Sequence, residues 1–141
     1  MSKVAVVYWS GTGNTEAMAN AIVEGVKANN AEVQIFTANE FDVSMMDNYD
    51  SIAFGCAAMG AEVLEEDEFE PMFAKCEEKL AGKKIALFGS YGWGDGEWMR
   101  NWEERCINKG SDIIQEPLII NETPDDEGIE RCKKFGEKMI I

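Results

Sequence analysis

Ser10, Gly11, Thr12, Gly13, Asn14 and Thr15 put four hydrogen-bonding side chains and two glycines into six consecutive positions, with no lysine or arginine among them. The apolar run Val4-Ala5-Val6-Val7-Tyr8-Trp9 comes directly before and a helix-like stretch from Glu16 to Lys27 directly after, so the segment reads as strand, tight loop and helix start. Backbone N–H groups gather at such a helix N-terminus, where partial positive charge favours an anion. Gly11 and Gly13 let the chain wrap closely round that anion, and the other four residues add neutral donors. A nucleoside-triphosphate loop needs G-x-x-x-x-G-K-[ST], and the lysine is missing; a dinucleotide fingerprint needs a third small residue where Glu16 stands. What remains is one terminal phosphate on a small cofactor. A well-capped helix start uses the same residue types, but two glycines and four donors exceed what a cap requires.

Two further segments suit a flat ligand. Gly89-Ser90-Tyr91-Gly92-Trp93-Gly94-Asp95-Gly96-Glu97 sets Tyr91 and Trp93 among glycines, where immediate neighbours cannot hold the indole in a core. Such a ring is offered more naturally to a planar partner, for which stacking contributes about 0.5–1.5 kcal/mol beyond area burial. Gly55-Cys56-Ala57-Ala58-Met59-Gly60-Ala61-Glu62 supplies a flexible apolar side chain, then a glycine whose peptide reorients at little steric cost, then an acceptor for a ring N–H. A phosphate socket with two walls describes an aromatic mononucleotide. Trp98 and Trp102, four apart on the next helical stretch, read as packing residues, and so does Trp9.

Elements able to bring these loops together are legible along the chain. Strand-like runs at Val4–Tyr8, Val33–Phe36, Ser51–Gly55, Lys84–Gly89 and Asp112–Ile120 alternate with helix-like segments at Asn14–Asn29, Asp67–Ala81, Glu97–Asn108 and Asp125–Ile140. A shorter helix is expected near Val43–Met46. This alternation predicts an α/β domain over residues 1–141, a parallel sheet with helices on both faces. Pro117 divides the last run, as expected of an edge strand or an irregular start. Ligands of such sheets sit beyond the carboxyl ends of the strands, where the three loops fall.

Composition removes several classes of function. There is no histidine, which excludes Ser-His-Asp and Cys-His catalysis and histidine metal sites. Cys56, Cys76, Cys106 and Cys132 contain no C-x-x-C pair, which argues against zinc, iron–sulfur and dithiol motifs and fits reduced thiols in the cytoplasm. No apolar run approaches the ~20 residues of a membrane helix. The formal charge of −14 disfavours nucleic acid and membrane surfaces and attracts basic proteins.

Three stretches together resemble a short-chain bacterial flavodoxin of the clostridial type: Tyr8-Trp9-Ser10-Gly11-Thr12-Gly13-Asn14-Thr15-Glu16, Ala58-Met59-Gly60 with the acidic residues after it, and Leu87-Phe88-Gly89-Ser90-Tyr91-Gly92-Trp93-Gly94-Asp95-Gly96. The resemblance covers essentially the whole chain. It implies a flavodoxin-like three-layer sandwich whose five-stranded parallel sheet has the order 2-1-3-4-5, with FMN at the β1/β3 switch point; flavodoxins are themselves the standard instance of that order. It further implies that Ser10 to Thr15 bind the FMN phosphate and that Met59 and Trp93 sandwich the isoalloxazine. Glu62 would bond the pyrimidine edge, and Ser90, Tyr91 and Gly92 line the pocket. Ala57, Ala58, Ala61, Gly89 and Gly96 complete the set. The Gly60 carbonyl would turn toward flavin N5 on one-electron reduction and stabilise the neutral semiquinone. Ala57 and Ala61 depart from the serine and aspartate common in relatives, which bears on a phosphate donor and on how easily the Gly60 peptide turns. The implied protein is a monomeric, non-enzymatic carrier that shuttles electrons between redox enzymes.

Residues 56–70, 89–97 and 121–127 hold twelve carboxylates and no basic residue, while Lys79, Lys83 and Lys84 fall at the opposite end of the sheet. Negative charge and an apolar stack both oppose an anionic hydroquinone, so the second reduction is expected at low potential. The same acidic rim should steer redox partners with basic docking surfaces. An FMN-dependent quinone or NAD(P)H reductase of the same fold is the alternative, but acidic loops leave little room for a substrate or nicotinamide site. A receiver domain lacks its acidic cluster at Tyr8-Trp9-Ser10, and a low-molecular-weight phosphatase lacks the arginine that would follow Cys56.

Overall fold

The computed structural model describes residues 2–60 and 63–141. Its principal elements run β1 (Lys3–Trp9), α1 (Asn14–Lys27), β2 (Glu32–Thr37), β3 (Ser51–Cys56), α2 (Phe69–Cys76), β4 (Lys84–Tyr91), α3 (Glu97–Asn108), β5 (Asp112–Ile113), β6 (Leu118–Asn121) and α4 (Asp126–Lys138). Every strand pairing is parallel, in the order β2-β1-β3-β4-β5, with β6 also paired to β4. β5 and β6 are therefore two pieces of one edge position. The interruption at 114–117 ends on Pro117, which has no N–H to give a ladder.

Alternation along the central strands divides the core into two layers. Ala5 and Val7 of β1, Ile52 and Phe54 of β3, and Ile85 and Leu87 of β4 share one apolar cluster with Phe69 and Phe73 of α2 and Trp98 and Trp102 of α3. Val4, Val6, Ala53, Ala86 and Phe88 point the other way, onto Met18, Ile22 and Val26 of α1 and Cys132 and Phe135 of α4. Both faces are covered, as an all-parallel sheet requires. Trp98 and Trp102 are core residues, in keeping with their spacing. Among the described residues, no helix is long and apolar enough to cross a membrane.

Helix boundaries differ from the sequence expectation where local hydrogen bonding decides them. The stretch near Val43 is a 3-10 turn, Val43–Asn48, whose start is capped by the Asp42 carboxylate accepting the Ser44 N–H. α2 begins at Phe69 rather than Asp67 and passes into a 3-10 turn at Glu77–Lys79. Its start is fixed by Glu65, a buried residue whose carboxylate accepts the N–H groups of Asp67, Glu68 and Phe69 at 2.7, 2.7 and 2.8 Å. Pro71 falls within the first turn, where its missing N–H costs no helical bond.

Burial alone would raise the Glu65 carboxyl, but those backbone donors outweigh it and hold it below the usual glutamate range. A carboxyl depressed on folding stabilises at pH values above its unfolded pKa, and that contribution is lost as pH falls through the folded value. Glu65→Gln is expected to lower stability at neutral pH by about 1–3 kcal/mol. Denaturant titrations across pH should show the two proteins converging in acid.

Candidate functional site

β1 ends at Trp9, and the chain turns through 10–13 into α1. Gly13 is the N-cap residue, held at φ 95° and ψ −8°, a left-handed conformation that favours glycine. Its N–H donates to Ser10 Oγ at 3.1 Å, closing the loop on itself. Among the described residues, the amides of Gly11, Thr12, Asn14 and Thr15 find no protein acceptor, which leaves four donors at the positive end of α1. Gly11, Thr12 and Gly13 are exposed, while Ser10 and Asn14 are half-buried. Trp9 lies across Gly11 so closely that a Cβ there would stand 2.9 Å from its ring. The Trp9 indole N–H donates to Glu68 at 3.4 Å.

Thr15 is placed differently from its neighbours. Its side chain is fully buried, and its Oγ1 lies 2.6 Å from the hydroxyl of Ser90 at the carboxyl end of β4. The Ser90 amide donates to the same Thr15 oxygen at 3.4 Å, and the Ser90 carbonyl accepts the Ala58 N–H at 2.9 Å. The first and second loops are thus both bonded to the residue from which the third departs. Gly89 permits the approach of β4 to β3, because a Cβ there would stand 2.2 Å from the Cys56 carbonyl oxygen. That carbonyl accepts the Trp98 indole N–H at 3.2 Å.

The third loop projects away from the fold. Trp93 is 64% exposed, the most exposed large hydrophobic side chain among the described residues. Tyr91 packs instead on Trp98, with ring centroids 5.6 Å apart. Gly96 caps α3 in the left-handed region at φ 92°. Asn121, at the end of β6, donates to the carbonyls of Tyr91 and Gly92 at 3.2 and 3.3 Å, and Glu122 donates its N–H to Tyr91 at 2.7 Å. Thr123 donates its hydroxyl to Asn14 at 3.1 Å, bringing the fourth loop against the start of α1. Asn121 and Glu122 are therefore braces of the third loop.

In the second loop Ala57, Ala58 and Met59 are half-buried and Gly60 is exposed, with open space where a Cβ would stand. The Met59 N–H donates to the Val63 carbonyl at 3.0 Å, and Val63 is itself an exposed hydrophobe. Ala61 and Glu62, which the resemblance also assigns to the site, lie outside the described residues. Glu65 is a positioning residue that motif reading misses. The signal for Glu65 was a glutamate a few residues ahead of an apolar helix start, and the surrounding run of acids hid it.

Charge follows the topology. The acidic segments follow the carboxyl ends of β3, β4 and β6, where Glu70 pairs with Arg105 at 2.7 Å and Asp95 with Arg100 at 3.0 Å, whereas Lys79 pairs with Asp47 at 2.6 Å and Lys83 donates to the carbonyls of Met46 and Tyr49. Those two lysines are consumed in holding the 43–48 turn. Burial pushes all four thiols up to about 12, which keeps them protonated at neutral pH.

The arrangement has close counterparts. The family model described as Flavodoxin matches residues 6–136. A flavodoxin of Clostridium beijerinckii is 47% identical over 134 residues, covering 95% of this chain and 96% of that one. A flavodoxin of Megasphaera elsdenii is 48% identical over 134 residues, covering 95% and 96%. The solution structure of the two-electron reduced Megasphaera protein superposes with a TM-score of 0.89 at 48% identity, covering 96% of this chain and 97% of that one. An archaeal flavodoxin structure matches at 28% identity with a TM-score of 0.84, covering 97% and 95%. With its sheet order, its loops and these relatives in agreement, the chain belongs to the flavodoxin family.

Proposed function

We propose that the three loops form an FMN site in which the amides of Gly11, Thr12, Asn14 and Thr15 hold the phosphate and Met59 and Trp93 cover the two faces of the ring. Membership of the family makes the chain an FMN-binding electron carrier rather than an enzyme, and the reductase alternative is not favoured. Bound FMN supplies the redox chemistry, taking up and releasing electrons singly. The observation that carries the site assignment is Trp93: a large indole left 64% exposed at the carboxyl edge of the sheet, the edge to which the first loop also belongs, suits a flat ligand.

Each remaining role belongs to the chain. Gly60 has open space where a Cβ would stand, and its carbonyl would accept a hydrogen bond from a protonated flavin N5. Glu62 is the proposed acceptor for the pyrimidine N–H. Ser10, Thr12 and Asn14 supplement the backbone amides at the phosphate, Tyr91 and Gly92 line the ring pocket, and Ala57, Ala58, Ala61, Gly89 and Gly96 give it room. The acidic rim and the apolar stack oppose added negative charge, which sets the second electron at low potential.

The same rim recruits partners with basic docking surfaces. A formal charge of −14 opposes self-association and supports a monomer working as one domain. Buried, unpaired thiols suit the reducing cytoplasm.

Anaerobic reductive titration followed by visible absorbance tests the carrier reading. Two separable one-electron steps are expected, with a long-wavelength band rising and then bleaching at low potential; direct bleaching in one step contradicts it. Trp93→Ala should weaken FMN by about 1–3 kcal/mol, roughly 5- to 150-fold in Kd. Without FMN its melting temperature should match the parent's, because the indole is solvent-facing there. Electron-transfer association with a basic partner should slow several-fold as salt rises to about 0.5 M; stopped-flow rates indifferent to salt would rule out steering.

A further inference from the structure

The edge formed by β5 and β6 runs along β4 with two residues to spare, since the chain from Ile113 to Leu118 lies opposite only Ile85 to Phe88. The surplus leaves the sheet at 114–117 as a bulge. It opens a groove of about 490 Å³ against α4, bordered by Leu118 and Phe135 and flanked by Arg131, Lys134 and Lys138. Those three side chains are exposed and recur at i, i+3 and i+7, which sets them on one face of α4 over about 10 Å. Among the described residues none of the three is in an ion pair, although Lys133 of the same helix pairs with Glu24 and Glu130. In a chain with 27 carboxylates, Glu116 is the only one among the described residues that lines this groove.

The opposite face of the same edge differs in kind. Beyond Pro117 a second hollow, of about 290 Å³, faces α3 and has Met99 and Ile119 as its apolar surface. Asp95, Glu103 and Glu116 border it, and the cation there, Arg100, is taken up by Asp95 at 3.0 Å. β6 runs between groove and hollow. The Glu122 amide donates inward to Tyr91, so by alternation the N–H and C=O groups of Ile119 and Asn121 turn away from β4.

We infer that this edge binds an extended segment of a partner protein in which acidic and apolar residues alternate. The segment adds as a strand beside β6, its main chain bonded to Ile119 and Asn121. Successive side chains then fall on opposite faces. One set places carboxylates against Arg131, Lys134 and Lys138, and the other lays apolar groups on Met99 and Ile119. Carboxylates two residues apart on a strand stand about 6.6 Å apart, close to the rise of about 6 Å between Lys134 and Lys138, so one segment engages both. A slip of one residue would set the acids against Asp95, Glu103 and Glu116, so repulsion fixes the register. The bulge and Pro117 blunt the edge against a whole sheet, which leaves room for a short segment only. A small anion would use the cations and leave the outward amides and the apolar hollow without a partner. None of this depends on which ligand the three loops hold.

The test uses the full chain as isolated and a synthetic six-residue peptide of alternating glutamate and valine with a red fluorescent label. Its block isomer, three valines followed by three glutamates, has the same composition and charge. Anisotropy titrations are expected to show the alternating peptide binding at least about tenfold more tightly than the isomer. The double substitution Arg131→Glu with Lys134→Glu, at exposed positions and checked for folding by circular dichroism, should weaken the alternating peptide at least about tenfold. If it does not fold, Arg131→Gln and Lys134→Gln are measured singly, each with a several-fold loss expected. Hydrogen exchange at the Ile119 and Asn121 amides should slow when the alternating peptide is bound. No binding of that peptide overturns the inference. Equal affinity for the two isomers means charge attraction without strand addition and overturns it, as does binding that leaves exchange at both amides unchanged. Affinity undiminished by the substitutions places the peptide elsewhere, with the same consequence. Inorganic pyrophosphate that displaces the peptide at concentrations below the peptide's own Kd would make the groove a small-anion site instead. Sedimentation that shows the chain pairing with itself, and the double variant not, would make a second copy the occupant; either result overturns the inference.

Discussion

Parallel pairing is the constraint from which the site follows. A strand parallel to its neighbour must be reached by a crossover, so each strand leaves the sheet at the same edge and turns there into a helix. Here β1, β3, β4 and β6 all deliver their outgoing loops to that edge. The interiors of β1, β3 and β4 are buried on both faces, which leaves no surface on the strands themselves for a ligand. Function is displaced to the strand ends, where backbone donors, glycines and exposed aromatics cost the core nothing. The first loop meets the third because β1 and β4 flank β3, and Thr15 of α1 reaches Ser90 of β4 across 75 positions of sequence.

Much of this was legible in the residues. The strand–loop–helix reading around Ser10 to Thr15 depended on local chemistry alone: a β-branched run, a loop of small donors, a helix start. Trp98 and Trp102 were legible as core because helical spacing puts both on one face. The broken edge strand was legible from Pro117, which cannot donate to a ladder whatever surrounds it.

What stayed hidden depends on tertiary contacts. Thr15 belongs to the phosphate-loop pattern by sequence, yet its side chain points inward because Ser90 meets it there. Glu65 looks like one acid in a run of acids, and only the folded chain shows that its carboxylate has been taken into the protein to start α2. Lys79 and Lys83 read as a basic end opposing an acidic one. In the structure their ammonium groups are occupied by Asp47 and by the carbonyls of Met46 and Tyr49, so that end is less positive toward solvent than a count of lysines suggests.

The absence of a cation from the phosphate loop then acquires a meaning beyond motif exclusion. A lysine or arginine among 10–15 would strengthen binding of a phosphate by Coulomb attraction, and it would also neutralise that phosphate's charge. Neutral amides and hydroxyls bind the anion while leaving its negative field in place. In the proposed flavin site that field adds to the carboxylates of 62–70 and 121–127 that have no cationic partner, and each such charge raises the free energy of putting a further electron on the ring. Affinity and potential thus pull against each other at the phosphate, and a loop of neutral donors favours potential. On the proposed reading the lost affinity comes from elsewhere, and the exposed indole of Trp93 is the candidate source: stacking on an apolar face adds binding energy without adding positive charge.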